Sequence, residues 1–251
     1  MDPGVKERFI KLWKAYFAGA ELPIAFYYTN EEQAVRIWKS AAHRCIFADM
    51  IEVRKGKSVS LDAHSIGCGG GKRYCGFLQE LSPYFDFFLS CGLPGKVEGE
   101  RYKKTPALVR EFLKQVPEFR APGRYIVFKR WDNLEEYDYP DVVIFFAGAD
   151  VLSGLFALAN FDRPDLNGVF APFGAGCGTT IMYPYLEKDA DVPRGVLGTF
   201  DISARPFVPA DVLTFAVPFP RFIQMLDNME ESFLTTASWK KIRRRLQKTP
   251  A

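Results

Sequence analysis

The sequence has almost no excess charge and no uninterrupted apolar run long enough to span a membrane. Its 33 Lys and Arg residues against 30 Asp and Glu residues give a formal net charge of +3, which is too small to favour nucleic acid as a partner. The most apolar stretch, residues 142–161, is interrupted by Asp150, Ser153 and Asn160, so we expect a buried strand followed by a buried helix and no membrane partner. The N-terminus shows no basic and apolar signal pattern. The sequence therefore predicts a cytoplasmic protein.

Histidine and cysteine are also scarce, with two and five residues in 251. An odd number of cysteines without a secretory signal argues against a disulfide framework, and we expect the thiols to be reduced. The sequence contains no Cys-x-x-Cys pair, so a metal site would have to be assembled from distant segments. The thiols must then act as core filler, as ligands or as reactive groups.

The nucleotide-binding and hydrolase motifs are missing as well. In the stretch 65-SIGCGGGKRYCGF-77, Ile66 occupies the first glycine position of a P-loop, and Arg73 follows Lys72 where Ser or Thr is needed. Lys72 also occupies the third glycine position of a dinucleotide fingerprint. No Gly-x-Ser-x-Gly elbow occurs. What remains is either a plain tight turn or a nest of backbone N–H groups that binds an anion.

The apolar pattern predicts an α+β (mixed α/β) fold, a single compact domain over residues 1–251 around a mixed sheet. Aromatic residues make up 15% of the chain, which predicts a thick aromatic core. Strands are predicted at 22–28, 58–62, 124–131, 141–146, 168–173, 195–200 and 211–219, and helices at 3–19, up to about 52, 83–91, 105–116, 150–161, from about 220, and 236–247.

The chain also shows signs of an internal duplication, with related halves at 20–131 and 141–247. Each half has an apolar strand, a helix, a second short strand and a Gly-Cys-Gly triplet. The triplets are Gly67-Cys68-Gly69 and Gly176-Cys177-Gly178. Chance resemblance is the alternative, because the matches are short and their spacings unequal.

The two triplets are the strongest candidates for chemistry. A cysteine between glycines, just before a helix, lies near exposed amides and the positive helix end, which favour the thiolate that ligates metals or attacks electrophiles. Flanking glycines also admit a bulky cofactor such as an iron–sulfur cluster. The alternative is a small-residue turn where a helix crosses a strand. Cys45, in an apolar helical pattern, is either core or a third thiolate, and His64 would complete a zinc site. Cys75 and Cys91, among phenylalanines, are expected to be core filler.

A family resemblance supports the choice of cysteines. Several blocks of the sequence carry the resemblance: Cys45, 54-RKGKSVSLD-62, 67-GCGGG-71, 142-VVIFFAGADVLSGL-155, 171-APFGAGCGT-179, 196-VLGTFDISARPFVP-209 and 213-LTFAVPFPRF-222. Together they resemble the domain of unknown function 169 family of archaea and bacteria. The resemblance runs from about residue 20 to the C-terminus. It implies that the family's cysteine positions fall on Cys45, Cys68 and Cys177, and it supplies no reaction.

Three hypotheses for function follow. In the first, Cys45, Cys68 and Cys177 hold an iron–sulfur cluster or another metal, with His64 as the fourth ligand if the metal is zinc. In the second, the protein is a metal-free binding module for a small anionic molecule, and self-association as a homodimer is compatible with it. Its ligand-binding residues would be Gly69, Gly70, Gly71, Lys72, Arg73, Gly178 and Arg205. In the third, Cys68 or Cys177 is the nucleophile of an enzyme.

Overall fold

A seven-stranded mixed sheet forms the middle of the computed structural model, which describes residues 1–32 and 44–248. The strands are β1 (Ile24–Thr29), β2 (Val59–Leu61), β3 (Tyr125–Arg130), β4 (Val142–Ala147), β5 (Val169–Phe170), β6 (Gly195–Gly198) and β7 (Leu213–Pro218). Their order across the sheet is β2-β3-β1-β4-β7-β6-β5. Among the strands of the described residues, only β5 and β6 pair in parallel. All six residues of the central strand β4 are buried, as its continuous apolar run predicts for a strand covered on both faces.

Helices cover both faces of this sheet. They are α1 (Pro3–Tyr16), α2 (Ile46–Arg54), α3 (Gly69–Tyr74), α4 (Phe85–Phe88), α5 (Pro106–Leu113), α6 (Ala149–Leu158), α7 (Tyr183–Leu186), α8 (Phe219–Asn228) and α9 (Ala237–Leu246). A π-helical segment, Gly178–Met182, leads directly into α7. The described part of the chain is a single compact α+β domain, as the sequence predicts.

An aromatic core lies on one face of the sheet, under α1, α6, α8 and α9. Trp13 stacks on Phe17 with ring centroids 4.3 Å apart, and Phe17 meets the ring of Trp239 edge to face. Phe145 and Phe215 contribute the sheet side of the same core. Aromatic rings of this size bury large apolar areas, so this core contributes strongly to stability.

The opposite face carries α2, α3 and the π-helical segment. Its core contains Phe47 and Met50 from α2, Tyr74 and Cys75 near the end of α3, and Ile181 from the π-helical segment. Cys177 belongs to the same cluster, and Cys45 packs against it. The predicted cysteines therefore lie on one face of the sheet.

A buried charge network lies where the acidic loop after β3 returns to the sheet. Lys129 in β3 and Asp138 are almost fully buried, and the Lys129 ammonium lies 2.8 Å from the Asp138 carboxylate. The Tyr27 hydroxyl donates to the same carboxylate, and Glu135 is a second partner of Lys129. Burial acts to lower the pKa of Lys129, but its hydrogen bonds to the two carboxylates raise the pKa overall. These buried charges are therefore paired, as the cost of desolvating them requires.

Several expectations can be compared with these elements directly. The helix expected at 83–91 shortens to Phe85–Phe88, and the strand expected at 168–173 to Val169–Phe170. Part of the helical pattern up to about 52 falls on residues 33–43, outside the described residues. The strands of the first half, β2-β3-β1, and those of the second half, β4-β7-β6-β5, form the two sides of the sheet. They are joined where β1 pairs with β4. That arrangement is compatible with the duplication, which stays a prediction. Within the described ranges, no helix has the length and apolarity needed to cross a membrane.

Candidate functional site

The three predicted cysteines lie at or near the starts of helical segments. Cys45 and Cys68 have extended backbones and directly precede α2 and α3. Cys177 has helical backbone angles and lies in the first helical turn, which begins at Gly176 and continues into the π-helical segment. Near the start of a helix, backbone N–H groups lack partners within the helix. The Cys68 Sγ uses one of them, accepting a hydrogen bond from the Gly71 N–H at 3.1 Å.

Close packing brings these N-termini together. A Cβ atom added at Gly71 would lie 2.9 Å from Cys68 Sγ and 3.5 Å from the Cβ of Ile46, so the first turns of α3 and α2 are in contact. A Cβ added at Gly178 would lie 3.0 Å from the ring of Tyr74, so the π-helical segment packs against α3. The segments that carry Cys45, Cys68 and Cys177 therefore meet at one place.

The glycines next to Cys177 have a packing role. A Cβ at Gly176 would lie 2.9 Å from both the Phe47 ring and the Ala204 Cβ, distances that side chains do not tolerate without movement. Gly178 is constrained by Tyr74 in the same way. The second Gly-Cys-Gly triplet is therefore explained by the close approach of helical segments, without invoking a ligand at Gly178.

The glycines that follow Cys68 have no such role. Gly69 and Gly70 are exposed, and a Cβ added at either would have no atom within 4 Å. Neither has the positive φ that favours glycine. Glycine in the first turn of a helix costs stability relative to alanine, so the fold does not account for this pair. A side chain at either position would point into open space at the start of α3.

Four thiols influence one another at this place. Burial raises the pKa of Cys177 well above its usual value, and Cys68, Cys75 and Cys45 raise it further. Burial also raises the pKa of Cys45 to about 11, opposed by a hydrogen bond from the Phe47 backbone and reinforced by Cys68. The pKa of the buried Cys75 thiol is raised by burial and by Cys68. Cys68 thus contributes to the raised pKa of each of the other three thiols, and it is only half-buried.

This cluster does not have the form of a site for one metal ion. In the part of the chain that the structure describes, no three His, Cys, Asp or Glu side chains are placed to hold a single ion. A tetrahedral zinc site with bonds of about 2.3 Å needs sulfurs only about 3.8 Å apart. His64 is exposed, and its backbone N–H donates to the Asp62 carboxylate. The zinc set completed by His64 therefore gains no support from the geometry.

Asp201 is a site residue that the sequence did not single out. One of its carboxylate oxygens accepts from the Tyr102 hydroxyl at 2.8 Å and from Ser203, and the other accepts from the Gly176 N–H at 3.1 Å. Its charge contributes to the raised pKa of both Cys45 and Cys177. Asp201 thus ties the Tyr102 loop to the backbone just before Cys177 and supplies a negative charge beside the thiols.

The backbone around Asp201 and Cys177 is unusual in two ways. Thr199 is fully buried with φ 62°, a conformation that is strained for a β-branched residue and common near functional sites. At the π-helical turn after Cys177, the Gly176 carbonyl accepts hydrogen bonds from the hydroxyls of Thr179 and Thr180 at 3.0 and 2.7 Å. Short π-helical segments also occur frequently at functional sites.

The remaining predicted residues have mixed outcomes. Lys72 and Arg73 are half-buried in α3, and the Arg73 guanidinium donates to the Gln79 carbonyl at 2.6 Å. The Arg205 guanidinium donates to the carbonyls of Val212, Pro209 and Ala210, which organises the loop before β7. Arg205 thus has a structural role in this loop, in addition to any role in ligand binding.

The fifth cysteine requires a correction. Cys75 is fully buried, as expected for core filler, but Cys91 is exposed. The expectation for Cys91 was wrong because the neighbouring aromatic helix α4 lies at the surface, where none of its residues is fully buried. All five cysteines are free.

Comparison with known proteins places the chain in a family. The model of the domain of unknown function 169 family, described as uncharacterised ArCR, matches residues 18–228. The chain belongs to this family. The match spans the segments that carry Cys45, Cys68, Cys177 and Asp201, so the candidate site lies within the family's shared domain. No curated protein matches the chain, and no solved structure matches it.

Proposed function

We propose that this DUF169 protein is a cytoplasmic protein that binds an iron–sulfur cluster, or another cofactor with more than one metal, through Cys45, Cys68 and Cys177. The observation that carries the proposal is the meeting of three cysteine-bearing helical N-termini on one face of the sheet. Thiolates are the ligands of iron–sulfur clusters. The five free cysteines agree with a reducing compartment.

A cluster is proposed rather than one ion because no three described side chains are placed to hold a single ion. The irons of a cluster are separated and are bound by one thiolate each. Three protein thiolates would leave one iron of a four-iron cluster open to a substrate, and such a cluster supplies electron transfer or Lewis-acid chemistry when bound. Cys68 is only half-buried and is followed by the exposed Gly69 and Gly70, which would leave room for such a cofactor.

The chain's own residues would prepare this site in three ways. The Cys45 and Cys177 thiols, whose pKa is raised by burial, would release protons when they bind metal. The free N–H groups at the helical N-termini would stabilise the resulting thiolates. Asp201, hydrogen-bonded to the Gly176 N–H, would hold the turn that carries Cys177.

A metal-free module for a small anionic molecule is the second candidate. The observation in its favour is that Gly69 and Gly70 leave open space that packing does not require, next to Lys72. Backbone N–H groups there would donate hydrogen bonds to the oxygens of a carboxylate or phosphate. In this case the cysteines would be structural thiols.

Anaerobic purification followed by metal, sulfide and absorption analysis separates the two candidates. The wild-type protein is expressed with iron supplied, reconstituted with ferrous iron and sulfide, and compared with Cys45→Ala, Cys68→Ala and Cys177→Ala. Cys91→Ala is the matched control because Cys91 is exposed and lies outside the thiol cluster. Circular dichroism of each variant confirms that it is folded.

We expect the wild type and Cys91→Ala to bind iron and sulfide and to be coloured. The three other variants should lose most of the iron, because each loses one of three protein ligands. A wild type that stays colourless and metal-free after reconstitution would contradict the proposal and favour the anion-binding module. Equal iron in all variants would show that the metal is held elsewhere.

A further inference from the structure

A small cleft on the same face of the molecule is lined by two arginines from distant segments. Its volume is about 110 Å³, and its walls include Arg73, Gln79, Glu118, Phe119, Arg120 and Met182. This is the space of roughly four water molecules, far below the several hundred Å³ that enclose a drug-sized ligand. The cleft can therefore take only a small ion or one charged group of a larger molecule.

The walls of the cleft are fixed by hydrogen bonds. The Gln79 side-chain amide donates to the Phe119 carbonyl at 2.7 Å, and the Ala121 N–H donates to the Gly76 carbonyl at 3.0 Å. These bonds join the turn after α3 to residues 117–121. The Arg73 guanidinium is oriented by its bond to the Gln79 carbonyl. A site whose walls are already ordered loses little conformational entropy on binding.

The charges of the cleft favour an anion. Arg73 uses one of its five N–H donors on Gln79. Within the described ranges, neither Arg73 nor Arg120 has a carboxylate within salt-bridge distance. The exposed Glu118 carboxylate also lines the cleft, which leaves a net charge of +1 from these three side chains. Guanidinium groups pair with carboxylate and phosphate oxygens through two parallel hydrogen bonds.

We propose that this cleft is a binding subsite for a small oxyanion, a phosphate or carboxylate group, recognised by Arg73 and Arg120. It differs from the glycine-rich turn because its side chains come from the end of α3, from residues 116–120 and from Met182. Arg73 and Met182 lie on the helical segments that begin at Cys68 and Cys177. The subsite does not depend on a cofactor being bound at those cysteines.

Isothermal titration of the metal-free protein tests the proposal. Inorganic phosphate, sulfate and acetate are titrated separately in a buffer of low ionic strength, so that the first two are distinguished from a carboxylate. Arg120→Ala removes an exposed side chain with little risk to folding. Arg73→Lys keeps the charge and removes the planar fork. Arg124→Ala is the control, because Arg124 is exposed and does not line the cleft.

We expect saturable binding of at least one of the three anions by the wild type and by Arg124→Ala. Arg120→Ala should weaken binding about tenfold, and Arg73→Lys about fivefold, because each loses charge-assisted hydrogen bonds. Glu118→Gln should tighten it about twofold by removing the like charge. Absence of saturable binding, or an affinity that both arginine substitutions leave unchanged, would overturn the proposal. So would an equal loss in Arg124→Ala.

Discussion

Replacing Gly70 by alanine should make the protein more stable while lowering its capacity for the cofactor. A Cβ at this position meets no atom within 4 Å, and the backbone conformation is accessible to alanine. Alanine in place of glycine in a helix stabilises by about 0.5–1 kcal/mol. For a domain of this size that corresponds to a rise in Tm of about 1–4 °C. The added methyl group would at the same time project into the space at the start of α3 that a bulky cofactor bound by Cys68 would need.

Gly176→Ala is the contrasting variant. Its Cβ would meet Phe47 and Ala204 at 2.9 Å, and overpacking of this kind costs about 1–3 kcal/mol. Thermal or urea unfolding of the cofactor-free proteins should therefore order them as Gly70→Ala, wild type and Gly176→Ala, from most to least stable. Iron content after reconstitution should fall in Gly70→Ala despite its stability.

Two results would refute this reasoning. If Gly70→Ala were less stable than the wild type, the conclusion that a methyl group fits at Gly70 without a clash would be wrong. If it were more stable and bound as much iron, glycine at this position would not serve the approach of a cofactor.

Other perturbations test separate parts of the structure. Modification with a thiol reagent at pH 7 should label the exposed Cys91 first and the buried Cys75 and Cys177 only on unfolding; early labelling of Cys177 would contradict its burial. Because burial raises the pKa of Cys45 to about 11, its labelling rate should rise about tenfold per pH unit between pH 7 and 9, and a plateau in that range would contradict the raised pKa. Lys129→Met should lower the free energy of unfolding by about 3–5 kcal/mol, because it leaves Asp138 buried without its cation. Lys114→Met, at an exposed position, should change the free energy of unfolding by less than about 0.5 kcal/mol. Equal effects of the two substitutions would show that the network is not buried. The Arg221 hydrogen bonds lower the pKa of Asp162 to about 2, so this pair should stabilise the protein by about 1–2 kcal/mol above pH 4 and lose that contribution as the pH falls to about 2. In urea unfolding, an Asp162→Asn variant should match the wild type at pH 2 and be less stable at pH 7. The same difference in the free energy of unfolding at both pH values would contradict the assignment.

The sheet and most helices were predictable because their patterns are strong and local. The run Val142–Phe146 is apolar at every position, and it forms the fully buried β4. The helix expected at 83–91 is present only over Phe85–Phe88, and the phenylalanines near Cys91 wrongly suggested that this cysteine is buried. Aromatic content alone does not determine whether a segment is covered by its neighbours.

The candidate site was only partly predictable. The cysteines stood out because Gly-Cys-Gly occurs twice and because the resemblance added Cys45, but nothing local indicated that their helices would touch. Asp201 was missed because a single carboxylate in a loop resembles a solvated residue, and its signal is the contact it makes with Gly176. Arg73 and Arg120 share a cleft although they lie far apart in sequence, a juxtaposition that depends on the tertiary fold.

The most direct test of the central claim is the iron and sulfide content of Cys68→Ala beside Cys91→Ala after anaerobic reconstitution. Cys68 interacts with each of the other clustered thiols, whereas Cys91 is an exposed thiol outside the cluster. A coloured Cys91→Ala protein with wild-type iron and a colourless Cys68→Ala protein is the predicted result. Equal iron and sulfide in the two variants, or none in the wild type, would contradict the account.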